Sequence, residues 1–268
     1  MAGDDALRAW AADMSTVYDE VLVPVVFTPF ADILAARVAR HAPRRVLEIA
    51  AGTGVLTNAM LTEMPDATIT ATDLNQAMVD VGARRAPGAT WQQADAMELP
   101  YAGASFDAVA VAFGVMFFPD KATAFAGIRR VLESDGVFLA TVWGAIEAHD
   151  YERCVQSSLD EIFPDDPPRF LANVPHGYHD EATITADLRG GGLELVSYDE
   201  VSATTHAPSA AELARGYCFG TPVRAQIEAR GDLAATQAAL ADALEARLGK
   251  AEITGRMVVH VIEARPAK

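Results

Sequence analysis

Short apolar runs and helically spaced apolar positions alternate along this chain from about residue 44 onward. Val46 to Ala50 is an apolar run interrupted only by Glu48, and comparable runs occupy 68–73, 90–94, 106–112 and 136–143. Residues 54–64, 75–84 and 120–133 carry apolar positions at helical spacing. Strands alternating with helices predict a mainly parallel sheet covered on both faces. The breakers agree: Pro65-Asp66 closes one helix, Asp120 is placed to cap another, and Asp135-Gly136 ends it. Ahead of this block, Trp10, Met14, Val17, Leu22, Val26 and Phe30 recur at helical spacing, with Pro24 and Pro29 as interruptions, which predicts two or three N-terminal helices. Beyond Trp143 the pattern loosens, and Phe163 to Pro168 reads as a loop. A strand resumes at about 193–201 after Gly190-Gly191-Gly192, residues 209–249 are rich in helix formers, and the β-branched stretch 257–264 predicts a closing strand.

These elements group into an N-terminal helical lid (1–40), a core (41–144), a cap insertion (145–192), and the end of the sheet (193–268) with a helical insertion at 206–250, all in one compact unit. A chain of 268 residues with 51% hydrophobic content can fill such a core. The net charge of −16 disfavours nucleic acid and anionic lipid as partners, so a small molecule is the expected one. The start, Met-Ala-Gly-Asp-Asp, lacks the basic and apolar pattern of a secretory signal, and no run of about 18 apolar residues is seen, so no membrane span is expected. Cys154 and Cys218 are the only cysteines and stand in no metal-like or redox-like pair. Reduced thiols, a cytoplasmic setting and no bound metal are the expectation; a homodimer is left open.

Gly52 and Gly54 follow a strand and precede a helix, where a tight turn brings backbone amides and a helix N-terminus to a ligand. Alone, this pattern serves a dinucleotide as well, although Thr57 stands where such enzymes usually have a third glycine. Asp73, ending the second strand, suits either cofactor because a carboxylate can accept from both ribose hydroxyls. Glu48 tilts the choice. S-Adenosylmethionine carries an ammonium and a sulfonium but no phosphate, so a carboxylate beside the turn is tolerable where it would repel a pyrophosphate. Asp95 and Ala96 are placed to accept from an adenine amino group and to donate a backbone amide to its ring.

The strings RRVLEIAAGTGVLT, ATDLNQAMVD, QQADAMELPYAGASFDAV, AFGVMFFPD and IRRVLESDGVFLATVW make residues 44–143 resemble the class I S-adenosylmethionine-dependent methyltransferases, within them the ubiquinone/menaquinone-biosynthesis-like group. The resemblance implies a Rossmann-like α/β fold: a seven-stranded, mostly parallel sheet with an antiparallel last strand, plus helical caps. It implies that Glu48, Ala50, Gly52 and Gly54 line the methionine side and that Asp73 takes the ribose. Leu74 and Met78 then flank the adenine, Asp95 and Ala96 read its edge, and Ala112 and Phe113 close the pocket. Ala50 replaces the family's first glycine, which is tolerable if its φ is negative. Ala112 stands where relatives often have a polar residue.

Ligands of open α/β sheets bind beyond the carboxyl ends of the strands, which selects Phe113, Met116 and Trp143 for the acceptor side. Phe117 and Phe118 are expected in the core. The capping segments offer Trp10, Met14, Tyr18, Tyr178 and Tyr217 for an apolar, aromatic pocket. Methyl transfer from an activated sulfonium needs positioning and exclusion of water more than a base. If a base is used, His176, His179 and Tyr18 are the candidates, Tyr18 because relatives have a similar Tyr-Asp before the Val-Pro segment. His260 and Glu263 interrupt the last strand, but the family topology puts Glu263 away from the active face. The expected activity is methylation of a small apolar or aromatic metabolite on oxygen, nitrogen or carbon, as in natural-product tailoring, with S-adenosylhomocysteine as product. A nicotinamide-dependent oxidoreductase and a catalytically idle cofactor-binding regulator are the competing readings.

Overall fold

The computed structural model describes residue 14 and residues 16–268. Seven strands form one sheet: β1 (Arg45–Ile49), β2 (Thr68–Asp73), β3 (Thr90–Gln93), β4 (Phe106–Ala112), β5 (Leu132–Trp143), β6 (Leu193–Ala207) and β7 (Ile253–Pro266). Their order is β3-β2-β1-β4-β5-β7-β6. The first five pair in parallel, and β7 runs antiparallel to β5 with Trp143 opposite Val259. The direction of travel across the sheet reverses between β1 and β4, which opens a crevice at their carboxyl ends. This is the expected Rossmann-like architecture.

By contact, the chain divides into two compact units. The first comprises Phe30–Trp143, Tyr178–Val201 and Val259–Lys268, and is called the core unit below. It holds helices α2 (Val55–Glu63), α3 (Gln76–Arg85), α4 (Lys121–Val131) and α7 (Glu181–Gly190). Val46, Leu47, Ala108, Val109, Ala110 and Val111 are all fully buried, as continuous apolar strands covered on both faces must be. Asn75, Asp120 and Asp180 cap their helices through side-chain oxygens that accept backbone N–H groups, a contribution of about 1 kcal/mol each.

The second, helical unit comprises the described residues up to Pro29, Gly144–Gly177 and Ser202–Val258. It holds α5 (Asp150–Ile162), α6 (Phe170–Asn173), α8 (Ala210–Gly220), α9 (Val223–Glu228) and α10 (Leu233–Leu248). Tyr151 of α5 is fully buried, and its hydroxyl lies 2.9 and 3.0 Å from the carbonyl oxygens of Thr205 and Ile253. A Cβ on Gly255 would come within 2.5 Å of the Tyr151 ring, so that strand residue must be glycine for the ring to fit.

Four expectations change. Residues 18–39 form one helix, α1, in which Tyr18–Phe27 is a π-helix and Thr28–Ala39 is α-helical. Pro24 sits inside the wide π stretch, and both the N–H and the hydroxyl of Thr28 reach the Val23 carbonyl. Pro29 falls in the first turn of the α-helical part, where its missing N–H costs little. The prolines therefore widen the helix and do not break it. By length and composition α1 could cross a membrane, but more than half of its most apolar window is buried in the protein, as in a core helix. Three strands are also longer than predicted: β5 begins at Leu132, so that Asp135-Gly136 lies within it and does not end a helix, β6 reaches Ala207 and β7 begins at Ile253. Finally, Phe117 is 53% exposed: the 3₁₀ turn Val115–Phe117 turns Val115 and Met116 inward and Phe117 out, while Phe118 is buried as expected.

Candidate cofactor site

The site of the core unit is built on the turn after β1. Ala51 N–H donates to the Thr72 carbonyl at 2.9 Å, and Gly52 N–H donates to Asp73 Oδ2 at 2.8 Å. These bonds hold Ala50, Gly52 and Gly54 at φ of +55°, +56° and +86°. The negative φ that would have made Ala50 comfortable is therefore not what the chain adopts; left-handed backbone costs an alanine about 1–2 kcal/mol. At Gly54 both conformation and space demand glycine, because a Cβ there would stand 3.0 Å from the Trp91 ring. Gly114, after β4, lies close against the turn: a Cβ there would meet that of Ala50 at 2.6 Å.

Beneath the turn Glu48 is buried, and its Oε2 accepts a 2.5 Å hydrogen bond from the Thr57 hydroxyl. Burial pushes its carboxyl up to about 8, against the opposing pull of that bond and with a further rise from the Asp73 charge. Thr57 drew attention in the sequence only as a missing third glycine. Its structural role is to orient Glu48, a role visible only once α2 places residue 57 against β1.

Asp73 ties two loops together. Its Oδ2 accepts from Gly52 and its Oδ1 from the Asn75 N–H at 2.8 Å. Burial raises its pKa, and the backbone donors Asn75, Gly52 and Leu74 oppose the rise. An ionised carboxylate has about four lone-pair directions, so two backbone bonds leave capacity for two hydroxyl donors. Leu74 beside it is 65% exposed and Met78 is half-buried. At the end of β3, Asp95 is exposed, with Oδ1 accepting from Met97 N–H at 2.8 Å, and Ala96 is buried.

On the other side of the switch point, Ala112 is half-buried and Phe113 is buried at a φ of +54°. Its ring stacks on Trp143 at 3.8 Å between centroids and 13° between planes. Phe30 meets both edge-on, at 6.2 and 5.9 Å. Such pairs contribute about 0.5–1.5 kcal/mol each beyond their burial. Met116 is buried in the turn that follows.

The remaining candidates are distributed between the units. Tyr178, in the core unit, is buried; its hydroxyl donates to Asp187 at 2.8 Å, and the Lys121 ammonium sits 4.7 Å over its ring. Burial and the Asp187 charge hold its proton on, so it is a poor base. His179 is half-buried, with its carbonyl accepting from the Tyr198 hydroxyl. Tyr18 and Met14 lie in the helical unit, both half-buried, with the Tyr18 ring 4.9 Å from that of Phe27. His176 and Tyr217 also belong to the helical unit and are buried, each engaged in a cluster around Glu152 and His149 that spacing did not reveal. Trp10 lies outside the described residues. His260 stacks on Tyr198 and Glu263 pairs with His41 at 3.3 Å, so both have other roles.

Residues 46–136 match the model of a methyltransferase domain. Over 107 residues the chain is 39% identical to a demethylmenaquinone methyltransferase of Deinococcus radiodurans, a match spanning 38% of this chain and 44% of that relative, hence under half its length. Over 172 residues it is 33% identical to the ubiquinone/menaquinone biosynthesis C-methyltransferase UbiE of Ralstonia pickettii, covering 59% of this chain and 71% of the relative. Among solved structures, YcgJ of Bacillus subtilis superposes with a TM-score of 0.56 at 19% identity, over 89% of this chain and 98% of its own. A geranyl diphosphate methyltransferase in complex with S-adenosylmethionine gives 0.51 at 14% identity, over 90% and 85%. These last two show the fold.

Proposed function

The chain belongs to the class I S-adenosylmethionine-dependent methyltransferases of the UbiE type, and from that premise we propose that its acceptor is a small, apolar, aromatic metabolite. The observation that carries this reading is the Phe113–Trp143 stack, edged by Phe30, at the carboxyl ends of β4 and β5 and one strand over from the glycine turn. A flat aromatic ring suits such a wall; a charged or strongly hydrated acceptor does not. The names of the Deinococcus and Ralstonia relatives favour a phenolic or quinol ring as acceptor and carbon as its methylated atom. Natural-product tailoring in the cytoplasm is the setting we assign, in keeping with two buried, unbridged cysteines.

The methyl donor is S-adenosylmethionine, a sulfonium whose carbon is already activated. We assign Asp73 to the ribose hydroxyls, Asp95 and Ala96 to the adenine edge, and Leu74 and Met78 to its faces. Glu48, Ala50, Gly52 and Gly54 take the methionine side, and Ala112 and Phe113 close it. An apolar wall excludes water while attack proceeds in line with the carbon–sulfur bond, and orientation supplies most of the rate. Bound there, S-adenosylmethionine would supply its methyl carbon to the acceptor and leave as S-adenosylhomocysteine, whose sulfur would keep the electron pair of the broken carbon–sulfur bond. On a phenolic ring the displaced proton leaves to water or to a nearby base, for which His179 is the core unit's candidate.

Two measurements test this. S-adenosylhomocysteine should raise the unfolding temperature while NAD leaves it unchanged, because only a ligand of the native state stabilises it. Labelled methyl transfer should then be seen with hydroquinones and phenols and not with amino acids or small amines; the reverse preference would overturn the aromatic-acceptor reading.

A further inference from the structure

In the helical unit His149, Glu152 and His176 are all buried, and one ligand atom from each lies within 4.8 Å of the others. His149 caps α5, Glu152 stands one turn later on the same face, and His176 arrives from the segment after α6. Glu152 Oε2 has no hydrogen-bond partner among the described residues and sits 3.7 Å from His149 Nδ1. The two imidazoles pack at 4.5 Å between centroids, tilted by 69°. A buried carboxylate beside two histidines is costly unless a cation or a shared proton compensates it.

The outer partners distinguish these two. His176 Nδ1 lies 2.9 Å from the Gly144 carbonyl, which can only accept, so Nδ1 carries the proton and Nε2 offers its lone pair. The Tyr217 hydroxyl donates to Glu152 Oε1 at 2.5 Å, leaving Oε2 as the inward-facing atom. A backbone carbonyl on a histidine and a hydroxyl on a carboxylate are the outer-shell bonds that orient metal ligands. We propose that His149, Glu152 and His176 form a binding site for one divalent transition-metal ion of the zinc or iron class. Two imidazoles and one carboxylate suit those ions and not calcium or magnesium, which prefer all-oxygen sets. Bonds of about 2.0–2.2 Å place adjacent tetrahedral ligands about 3.4 Å apart, so the 3.7 Å pair is nearly set and a pair at the 4.8 Å limit needs to close by about 1.4 Å.

The test uses untagged full-length protein stripped with a chelator and titrated with Co²⁺, whose visible absorption intensifies in a low-symmetry nitrogen–oxygen site. One equivalent should bind with that spectrum and be displaced by Zn²⁺. Glu152→Gln and His176→Gln should lose it. His206→Gln, at an exposed histidine paired with Glu252, should keep it. Should a ligand variant fail to fold, as judged by circular dichroism, Tyr217→Phe leaves all three ligands in place and should weaken Co²⁺ binding by about 10–100-fold, as outer-shell losses do. Wild-type protein that takes up no stoichiometric Co²⁺, uptake equal in the folded Glu152 and His176 variants, or an unchanged affinity in Tyr217→Phe overturns the proposal.

Discussion

Replacing Glu48 by Gln keeps an oxygen to accept from Thr57 and removes the buried carboxyl beneath the turn. The carboxyl is fully buried, with burial the main cause of its rise from 4.5 to about 8. At about 1.4 kcal/mol per tenfold, ionising it in the empty, folded protein costs roughly 5 kcal/mol. Below about pH 4.5 the group is neutral in both folded and unfolded chains, and the wild-type protein retains the full benefit of its raised pKa. As pH rises, the unfolded chain ionises first while the native one holds its proton, so stability falls by about 1.4 kcal/mol per pH unit until the group ionises near 8. The loss reaches about 3 kcal/mol at pH 7 and about 5 kcal/mol at pH 9. The Glu48→Gln protein has no such dependence, so its stability relative to wild type should climb by these amounts in urea titrations of cofactor-free protein at about pH 5, 7 and 9. Cofactor binding should show the opposite preference. The cationic donor draws the proton off Glu48, so wild-type affinity for S-adenosylmethionine, followed by calorimetry, should strengthen from pH 5 to about 8 and exceed that of the variant. A stability difference that stays constant across this range would refute the burial argument.

The glycine turn yields two linked predictions. Ala50→Gly removes left-handed strain of about 1–2 kcal/mol while loosening the unfolded chain by about 0.4–1 kcal/mol, so chemical denaturation should show a net gain of about 0.5–1 kcal/mol; a loss would contradict the φ of +55°. Gly114→Ala sets a Cβ 2.6 Å from that of Ala50 and 2.9 Å from Val111 and should cost about 1–3 kcal/mol together with affinity for S-adenosylhomocysteine. Combining the two substitutions should recover part of that loss, and strict additivity in the double-mutant cycle would show that the two sites do not touch. In the helical unit, Tyr151→Phe strips a buried hydroxyl from the Thr205 and Ile253 carbonyls. Thermal and urea unfolding should report a loss of about 1–3 kcal/mol, and a change under about 0.5 kcal/mol would mean that water replaces the hydroxyl.

Local pattern carried the cofactor half of the molecule well. Five of the parallel-sheet strands, the Asp120 cap and the turn from Ala50 to Gly54 follow from apolar periodicity and breaker residues, because each depends on neighbours within a few positions. Asp73 was legible for the same reason: it ends a strand in register with the turn. Thr57 was legible as a residue but not as a role, since the Glu48 bond exists only when a helix and a strand meet. The sign of φ at Ala50 was missed because tertiary bonds from Ala51 and Gly52 impose it on a residue that would avoid it alone. Pro24 misled for a comparable reason, in that a π-helix leaves room for a ring that an α-helix would exclude.

The caps show the contrast most clearly. His149, Glu152, His176 and Tyr217 span 69 residues of chain and obey no spacing rule, yet they meet at one buried point. By itself the sequence determined the order of strands and helices, the turn that receives the cofactor and the acids around it, because these depend on short-range periodicity and on backbone chemistry at single positions. Only the tertiary structure decided how deeply Glu48 and Asp73 are buried, which aromatic rings stack beside the turn, and which distant polar groups share a buried interior. Burial and nonlocal contact set all three, and neither is encoded at any one position in the chain.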